Sequence, residues 1–227
     1  MHDLPEPALL GAILLASYLA GSVPFGWLMA RVLRGVDIRT IGSGNIGATN
    51  AMRALGRPLG MVALAGDLGK GFAPVWFLAQ GEPALQVACG AAAVGGHVWP
   101  VFLRLRGGKA VATGCGVLLA VDWPVVLGAG LVWCAVLLLT RFVGLASVAM
   151  GVAFPCIAAA RGASWEIVCG AAALALLIVG RHRSNMVRVL AGTEPRVGLF
   201  GGSGGKPEAA TDSRALDAGD DDRGDDD

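Results

Sequence analysis

The sequence predicts an all-α integral membrane protein with seven transmembrane helices, some of them short, an outside N-terminus and a cytoplasmic C-terminus. Three observations lead there. Hydrophobic residues make up 55% of the 227 residues and charged ones only 15%, a polytopic-membrane composition rather than that of a soluble domain. Apolar stretches of membrane-crossing length recur between short polar breaks. The basic residues fall in alternate breaks, as the positive-inside rule requires of cytoplasmic loops.

Hydropathy places helices at about 8–31, 59–80, 84–103, 110–121, 124–140, 142–160 and 164–180. The first contains 23 uncharged residues from Ala8 to Ala30. It has no basic n-region or cleavage site and reads as a retained span, not a signal peptide. The second is interrupted only by Asp67 and Lys70, three apart on one helix face, where mutual pairing is the simplest account of two buried charges. Gly81-Glu82-Pro83 opens the third. The fourth, 110–121, reaches only about 18 Å at 1.5 Å per residue, short of a full crossing. A turn at Asp122-Trp123-Pro124 is expected to separate it from the fifth, because one continuous span would move Arg181, Arg183 and Arg188 outside. Arg161-Gly162-Ala163 separates the sixth from the seventh. Arg31, Arg34, Arg39, Arg53, Arg57, Arg104, Arg106, Lys109, Arg141 and Arg181 onward then share the cytoplasmic side, while Glu82, Asp122, Arg161 and Glu166 lie opposite.

Two units are expected: a membrane domain over residues 1–200 and an acidic tail over 201–227. The tail carries nine acidic and three basic residues, a net −6 that leaves +7 on the rest of the chain. With few large apolar residues it is expected to be disordered and solubilising. Cys89, Cys115, Cys134, Cys156 and Cys169 lie in apolar segments without ligand spacing or a C-x-x-C pair, so they read as packing residues, and neither metal nor disulfide is expected.

Three polar islands meet on the cytoplasmic face. Gly42-Ser43-Gly44-Asn45-Ile46-Gly47-Ala48-Thr49-Asn50, followed by Arg53, combines glycines, hydroxyls and amides. Such a loop can form an anion-binding nest beside an arginine that grips two phosphate oxygens. Gly107-Gly108-Lys109 opens a helix, where free N–H groups, the helix dipole and a lysine charge favour phosphate. It is not a Walker A loop: Leu103 stands where the first glycine belongs and Ala110 where Ser or Thr would bind magnesium. The third island is Arg181-His182-Arg183-Ser184-Asn185, with Arg188 and Glu194. His182 and Asn185 are spaced to share a helix face, Ser147 points into the bundle at the same depth, and His97 lies near the end of its span.

In order, Ser22-Val23-Pro24-Phe25-Gly26, the loop from Gly42 to Arg53, Gly96-His97 through Leu103, Gly107-Gly108-Lys109-Ala110-Val111-Ala112-Thr113, Ser147, and His182-Arg183-Ser184-Asn185 with Glu194 resemble the acyl-phosphate-dependent glycerol-3-phosphate acyltransferase (PlsY) family over residues 8–198. The resemblance implies a bacterial inner-membrane enzyme with seven membrane helices and an active site facing the cytoplasm. Its substrates would be acyl phosphate and glycerol 3-phosphate, its products lysophosphatidic acid and inorganic phosphate. It further implies catalytic roles for Ser43, Arg53, Lys109, His182 and Asn185. Substrate binding would fall to Gly42, Gly44, Asn45, Gly47, Thr49, Asn50, Gly107, Gly108, Ser147 and Glu194. Ala110 departs from the family's usual glycine, and its methyl group could narrow the approach to phosphate. The H-x-x-x-x-D pattern of coenzyme-A-dependent glycerolipid acyltransferases is absent, since Pro7, Phe102 and Val187 stand five residues after His2, His97 and His182.

An acyl phosphate is already activated, so the chemistry needs no metal, cofactor or covalent intermediate, only two oriented anionic heads and a stabilised oxyanion. A phosphate oxygen of the donor is the favoured proton acceptor with His182 orienting, and His182 or His97 as base is the rival. Partners expected are the two substrates, the bilayer and the enzyme that supplies acyl phosphate; no nucleic acid is expected. The alternative is an organophosphate transporter, which would require polar residues lining a route across the bilayer, whereas the polar chemistry here gathers on one side.

Overall fold

The computed structural model describes residues 5–79 and 81–198; the acidic tail at 201–227 lies outside the described residues. Among the described residues all regular structure is helical: α1 (Pro7–Ser22), α2 (Phe25–Arg34), α3 (Ala48–Leu55), α4 (Arg57–Leu78), α5 (Pro83–Val98), α6 (Val111–Thr140), α7 (Val143–Ala160), α8 (Trp165–Arg181) and α9 (Arg183–Leu190), with 3-10 turns at Ile38–Thr40 and Val101–Leu103. Among the described residues four segments are long and apolar enough to cross a membrane, and six if each of two bent pairs counts as one span.

The bends follow from local chemistry. Pro24 supplies no N–H to continue the α1 ladder, and the axis turns by 44° into α2. The stretch expected as one helix over 8–31 is therefore two. Gly35 takes the left-handed conformation at φ 68° that ends α2, a backbone state glycine adopts without a steric cost. Asp37 then accepts from the Arg39 backbone N–H at 3.0 Å and its guanidinium at 2.6 Å, holding the turn that leads into the glycine-rich loop. The Arg39 guanidinium keeps the Asp37 carboxyl well below the usual carboxylate range. A second bend, of 53°, separates α8 from α9.

Asp122 breaks α6 with φ −154° and ψ 90°, just before Pro124. Thirty residues of straight helix would extend about 45 Å, yet both ends of α6 come together. Lys109, two residues before it, donates to the Asn185 side chain, and Gly144, four residues after it, packs against the same asparagine. The chain therefore reverses at Asp122, where Arg161 beyond the far end of α7 donates to the carboxylate at 2.7 Å. The expected turn is present.

Helix α4 packs against α1, α5 and the first arm of α6, and α7 lies between α6 and α8. The α4–α6 crossing is close enough for backbones to touch: a Cβ on Gly116 would stand 3.0 Å from Phe72 N. Only small residues allow this approach, and in lipid such packing is what joins helices. Val75, Cys89, Val98, Phe154 and Ile178 fill the common core. Cys89 and Cys115 are buried in it, whereas Cys134, Cys156 and Cys169 are exposed. The packing role expected of all five therefore fits the first two alone. Outward faces are apolar, as at Leu139, Leu176 and Trp165.

Candidate active site

The first island forms a self-contained platform. Gly42 and Gly44 have φ of 56° and 67°, turning the chain sharply either side of Ser43. Asn50, 1% exposed, organises the loop: its Oδ1 accepts from Ser43 N at 3.1 Å, and its Nδ2 donates to the carbonyls of Ile38, Ile41 and Asn45 at 2.9 Å each. Gly44 N donates to Ile41 O, and Gly47 N reaches Asn45 Oδ1 at 3.3 Å. Several N–H groups expected to cradle an anion are thus spent inside the loop. Ser43, Thr49 and Arg53 remain exposed, and the Arg53 side chain runs beside Gly42.

The second and third islands are joined directly. Gly107 N donates to Val98 O and Gly108 N to His97 O, both at 3.1 Å, so these glycines close a turn instead of presenting free donors. A Cβ on Gly108 would collide with the His97 ring; glycine is required there by space. The carbonyls of Gly107 and Gly108 accept from the Arg181 guanidinium at 3.2 and 3.1 Å. Arg181, which the sequence placed in the third island without a catalytic or binding role, is thus tied directly to the second. Ala110 has φ 63° and is 1% exposed within the apolar core. Its backbone state explains the glycine usual in resembling sequences, and its methyl is buried in the apolar cluster.

Lys109, half-buried, donates to Asn185 Oδ1. Asn185 Nδ2 donates to Glu194 Oε1 at 2.6 Å, and Arg188 Nε donates to Glu194 Oε2 at 2.7 Å. This relay holds the lysine through Asn185 and Arg188 on α9 and Glu194 just beyond its end. Burial pulls the Lys109 ammonium below its usual value; Arg188 and Arg181 add to the fall and Glu194 opposes it. His182 is 4% exposed and its Nδ1 lies 2.8 Å from Ile178 O. A carbonyl can only accept, so Nδ1 carries the proton and Nε2 is left with its lone pair. Burial lowers the imidazole to about 4, opposed by its bond to Ile178, so it is neutral at physiological pH.

Ser147 is buried, with its hydroxyl donating to Val143 O at 2.9 Å and accepting from Trp133 Nε1 at 3.4 Å. It stands one turn from Gly144, which touches Asn185. Between the two platforms lies the pair that the sequence placed on one face of α4: Lys70 Nζ meets Asp67 Oδ1 at 2.8 Å, both side chains 3% exposed.

The fold and site define a polytopic membrane protein with a cationic, hydrogen-bonded centre at one end of its helical bundle. A family model described as glycerol-3-phosphate acyltransferase matches residues 11–192. Relatives of that name include a Desulforudis audaxviator protein, 48% identical over 79% of this chain and 91% of its own length, and one from Myxococcus xanthus, 46% identical over 82% and 98%. The crystal structure of PlsY (YgiH), an integral membrane glycerol 3-phosphate acyltransferase, in its glycerol 3-phosphate form aligns with a TM-score of 0.80 at 38% identity, covering 83% of this chain and 96% of that one. Its lysophosphatidic acid form aligns at 0.78. The chain belongs to the glycerol-3-phosphate acyltransferase family.

Proposed function

We propose that this protein transfers a fatty acyl group from acyl phosphate to the 1-hydroxyl of sn-glycerol 3-phosphate, giving 1-acylglycerol 3-phosphate and inorganic phosphate. The observation that carries the reading is the relay Lys109, Asn185, Glu194, Arg188, which holds one ammonium at the N-terminus of α6. Donors of Lys109 to Ala112 precede the first closed turn there, since Gly114 N is the donor to Ala110 O, and a helix start favours an anion. Lys109 and Arg53 neutralise the phosphates, Ser43 and Thr49 supply hydroxyls, and Asn50, Gly107 and Gly108 shape the two loops. The acyl chain lies in the apolar groove between α5, α6 and α8, walled by Val94, Gly95, Leu118, Leu174 and Leu177, one helical turn from Arg181.

The acceptor hydroxyl adds to the acyl carbonyl, the carbon–oxygen bond to phosphate breaks, and the departing phosphate oxygen takes the hydroxyl proton. A His182 near pKa 4 is a weak base at neutral pH, which favours this internal transfer and leaves His182 an orienting role through Nε2. Counting α1 with α2 as one crossing and α6 as two gives seven. The positive-inside rule then puts the N-terminus outside and the site at the cytoplasmic face of a bacterial inner membrane. Acyl phosphate is a reactive anhydride, so an enzyme that makes it is the expected functional partner.

The test is purified protein in detergent or lipidic mesophase with palmitoyl phosphate, with and without glycerol 3-phosphate. Matched, acceptor-dependent appearance of phosphate and lysophosphatidic acid is the expected result. Release without lysolipid, or no reaction, refutes it.

A further inference from the structure

We infer that Asp67 and Lys70 are positioning residues that set the spacing between the two phosphate-binding loops, an inference that rests on the proposed reaction. Neither residue belongs to the machinery described above. Both are buried in the middle of the bundle, where charged side chains are expensive and are retained for a purpose beyond cohesion.

Their contacts run in two directions. Lys70 Nζ donates to Val23 O at 2.7 Å, the carbonyl at the break that Pro24 imposes between α1 and α2, and sits 6.0 Å from the Phe25 ring centre. Helix α2 in turn carries the first loop: Gly26 lies against Ile46 O and Ala51. In the other direction Asp67 Oδ1 faces His97 Nδ1 at 3.9 Å, and that nitrogen is fully buried without a hydrogen-bond partner. The His97 ring packs on Gly108, and its carbonyl accepts from Gly108 N, immediately before Lys109. The half-buried Val23 and the buried Lys70, Asp67, His97 and Gly108 thus form a chain of close approaches from one platform to the other. Among the described residues no direct hydrogen bond joins the platforms; Leu103 packs into the apolar cluster beneath the first loop, and this path adds the polar, directional link between them.

A pair that merely neutralises itself is replaceable. Exchanging a buried ion pair for apolar residues of similar size is often neutral or stabilising. A pair that fixes two loops is not replaceable, because the substitutes hold neither the Val23 carbonyl nor the ring of His97. The experiment compares the parent with Asp67→Leu/Lys70→Met and with Lys70→Arg, measuring melting temperature in detergent, kcat, and KM for each substrate. Expected for the double variant is a melting temperature within a few degrees of the parent, kcat reduced at least tenfold, and KM raised for both palmitoyl phosphate and glycerol 3-phosphate. Lys70→Arg is expected to lose activity in the same pattern, because a planar guanidinium cannot serve Asp67 and Val23 O as the ammonium does.

A folded double variant with kcat and both KM values within twofold of the parent overturns the proposal. So does loss of the melting transition in both variants, which would make the pair a scaffold element. Should the double variant alone fail to fold, Lys70→Arg decides on the same criteria. Glycerol 3-phosphate binding is read separately, as the rise in melting temperature on adding it, expected in the parent and diminished in the variants. Failure of transfer in the parent itself would count against the reaction, while this binding comparison would still judge the pair.

Discussion

Gly144→Ala should damage the site from outside it. A Cβ at that position would stand 2.8 Å from Asn185 Cβ and 2.9 Å from its Cγ and Nδ2. Non-bonded carbon atoms rest at about 3.5–4.0 Å, so the asparagine must retreat by about 1 Å. It cannot do so without stretching its bonds to Lys109 and to Glu194, and the ammonium loses the acceptor that fixes it. Overpacking of this kind costs about 1–3 kcal/mol of stability, and misplacement by about 1 Å can cost about 10²-fold in rate. The assay is acceptor-dependent phosphate release from palmitoyl phosphate, with the melting temperature measured in the same detergent. We expect kcat/KM for glycerol 3-phosphate to fall by about 30- to 100-fold, with melting lowered by only a few degrees. Gly69→Ala is the control: nothing lies within 4 Å of a Cβ there, and both measurements should stay at parental values. Retention of kcat/KM within threefold in Gly144→Ala would refute the reasoning, because the relay would then tolerate the displacement said to break it.

Lys109→Ala and Arg53→Ala are each expected to reduce turnover to near background while the melting transition persists; a near-normal rate in either removes it from phosphate binding. Since burial depresses the Lys109 ammonium, its charge is lost as pH rises through a value below that of an ordinary lysine. The alkaline limb of kcat/KM should begin correspondingly early, and the limb of kcat should lie at higher pH because bound phosphate favours the charged form. Coincident limbs at the ordinary lysine value would contradict this. His182→Ala should cost only a modest fraction of kcat and leave the shape of the pH profile between about pH 5 and 8 unchanged, because the native imidazole is already neutral there; disappearance of a limb in that range would make His182 the base. In Ala110→Gly, relief of about 1–2 kcal/mol of left-handed strain is offset by about 0.8 kcal/mol of lost methyl burial and by glycine's entropy. Stability should stay within about 1 kcal/mol and KM within twofold; a tenfold change in KM would place the methyl at the phosphate.

The parts of the fold legible in the sequence were those set by single residues with one physical effect. The reversal at Asp122 was readable because Pro124 and the charge bias both required it. The break at Pro24 carried the same kind of signal, but uninterrupted hydropathy from Ala8 to Ala30 masked it, since apolar character says where a segment lies and not whether it is straight. Helix α9 escaped for the opposite reason: Arg183–Leu190 is too polar for a hydropathy scan and is defined by the bend after Arg181. The pairing of Asp67 with Lys70 was legible because the partners are local on one helix. No local rule announced that His97 would face the same carboxylate from another helix.

At the site, residue types were readable and their duties less so. Glycines, asparagines and arginines pointed to phosphate chemistry, and donor accounting reassigns the work within the loops. Asn50 spends both ends of its amide on loop backbone, and Gly107 and Gly108 spend their N–H groups on α5 carbonyls. A buried polar group must be satisfied, and a loop that satisfies itself is rigid before any ligand arrives. Arg181 shows the converse. In a string of cations it looked like an anchor, yet its guanidinium binds two carbonyls of the Gly107–Gly108 turn, which no sequence spacing could reveal across more than seventy residues. Under the proposed reaction, such preorganisation leaves for substrate a small set of exposed or charged ends, Arg53, Ser43, Thr49 and the Lys109 ammonium, held on loops whose own hydrogen bonds are already closed. An activated donor asks for no more than that, because its reaction needs alignment and charge neutralisation rather than a strong base.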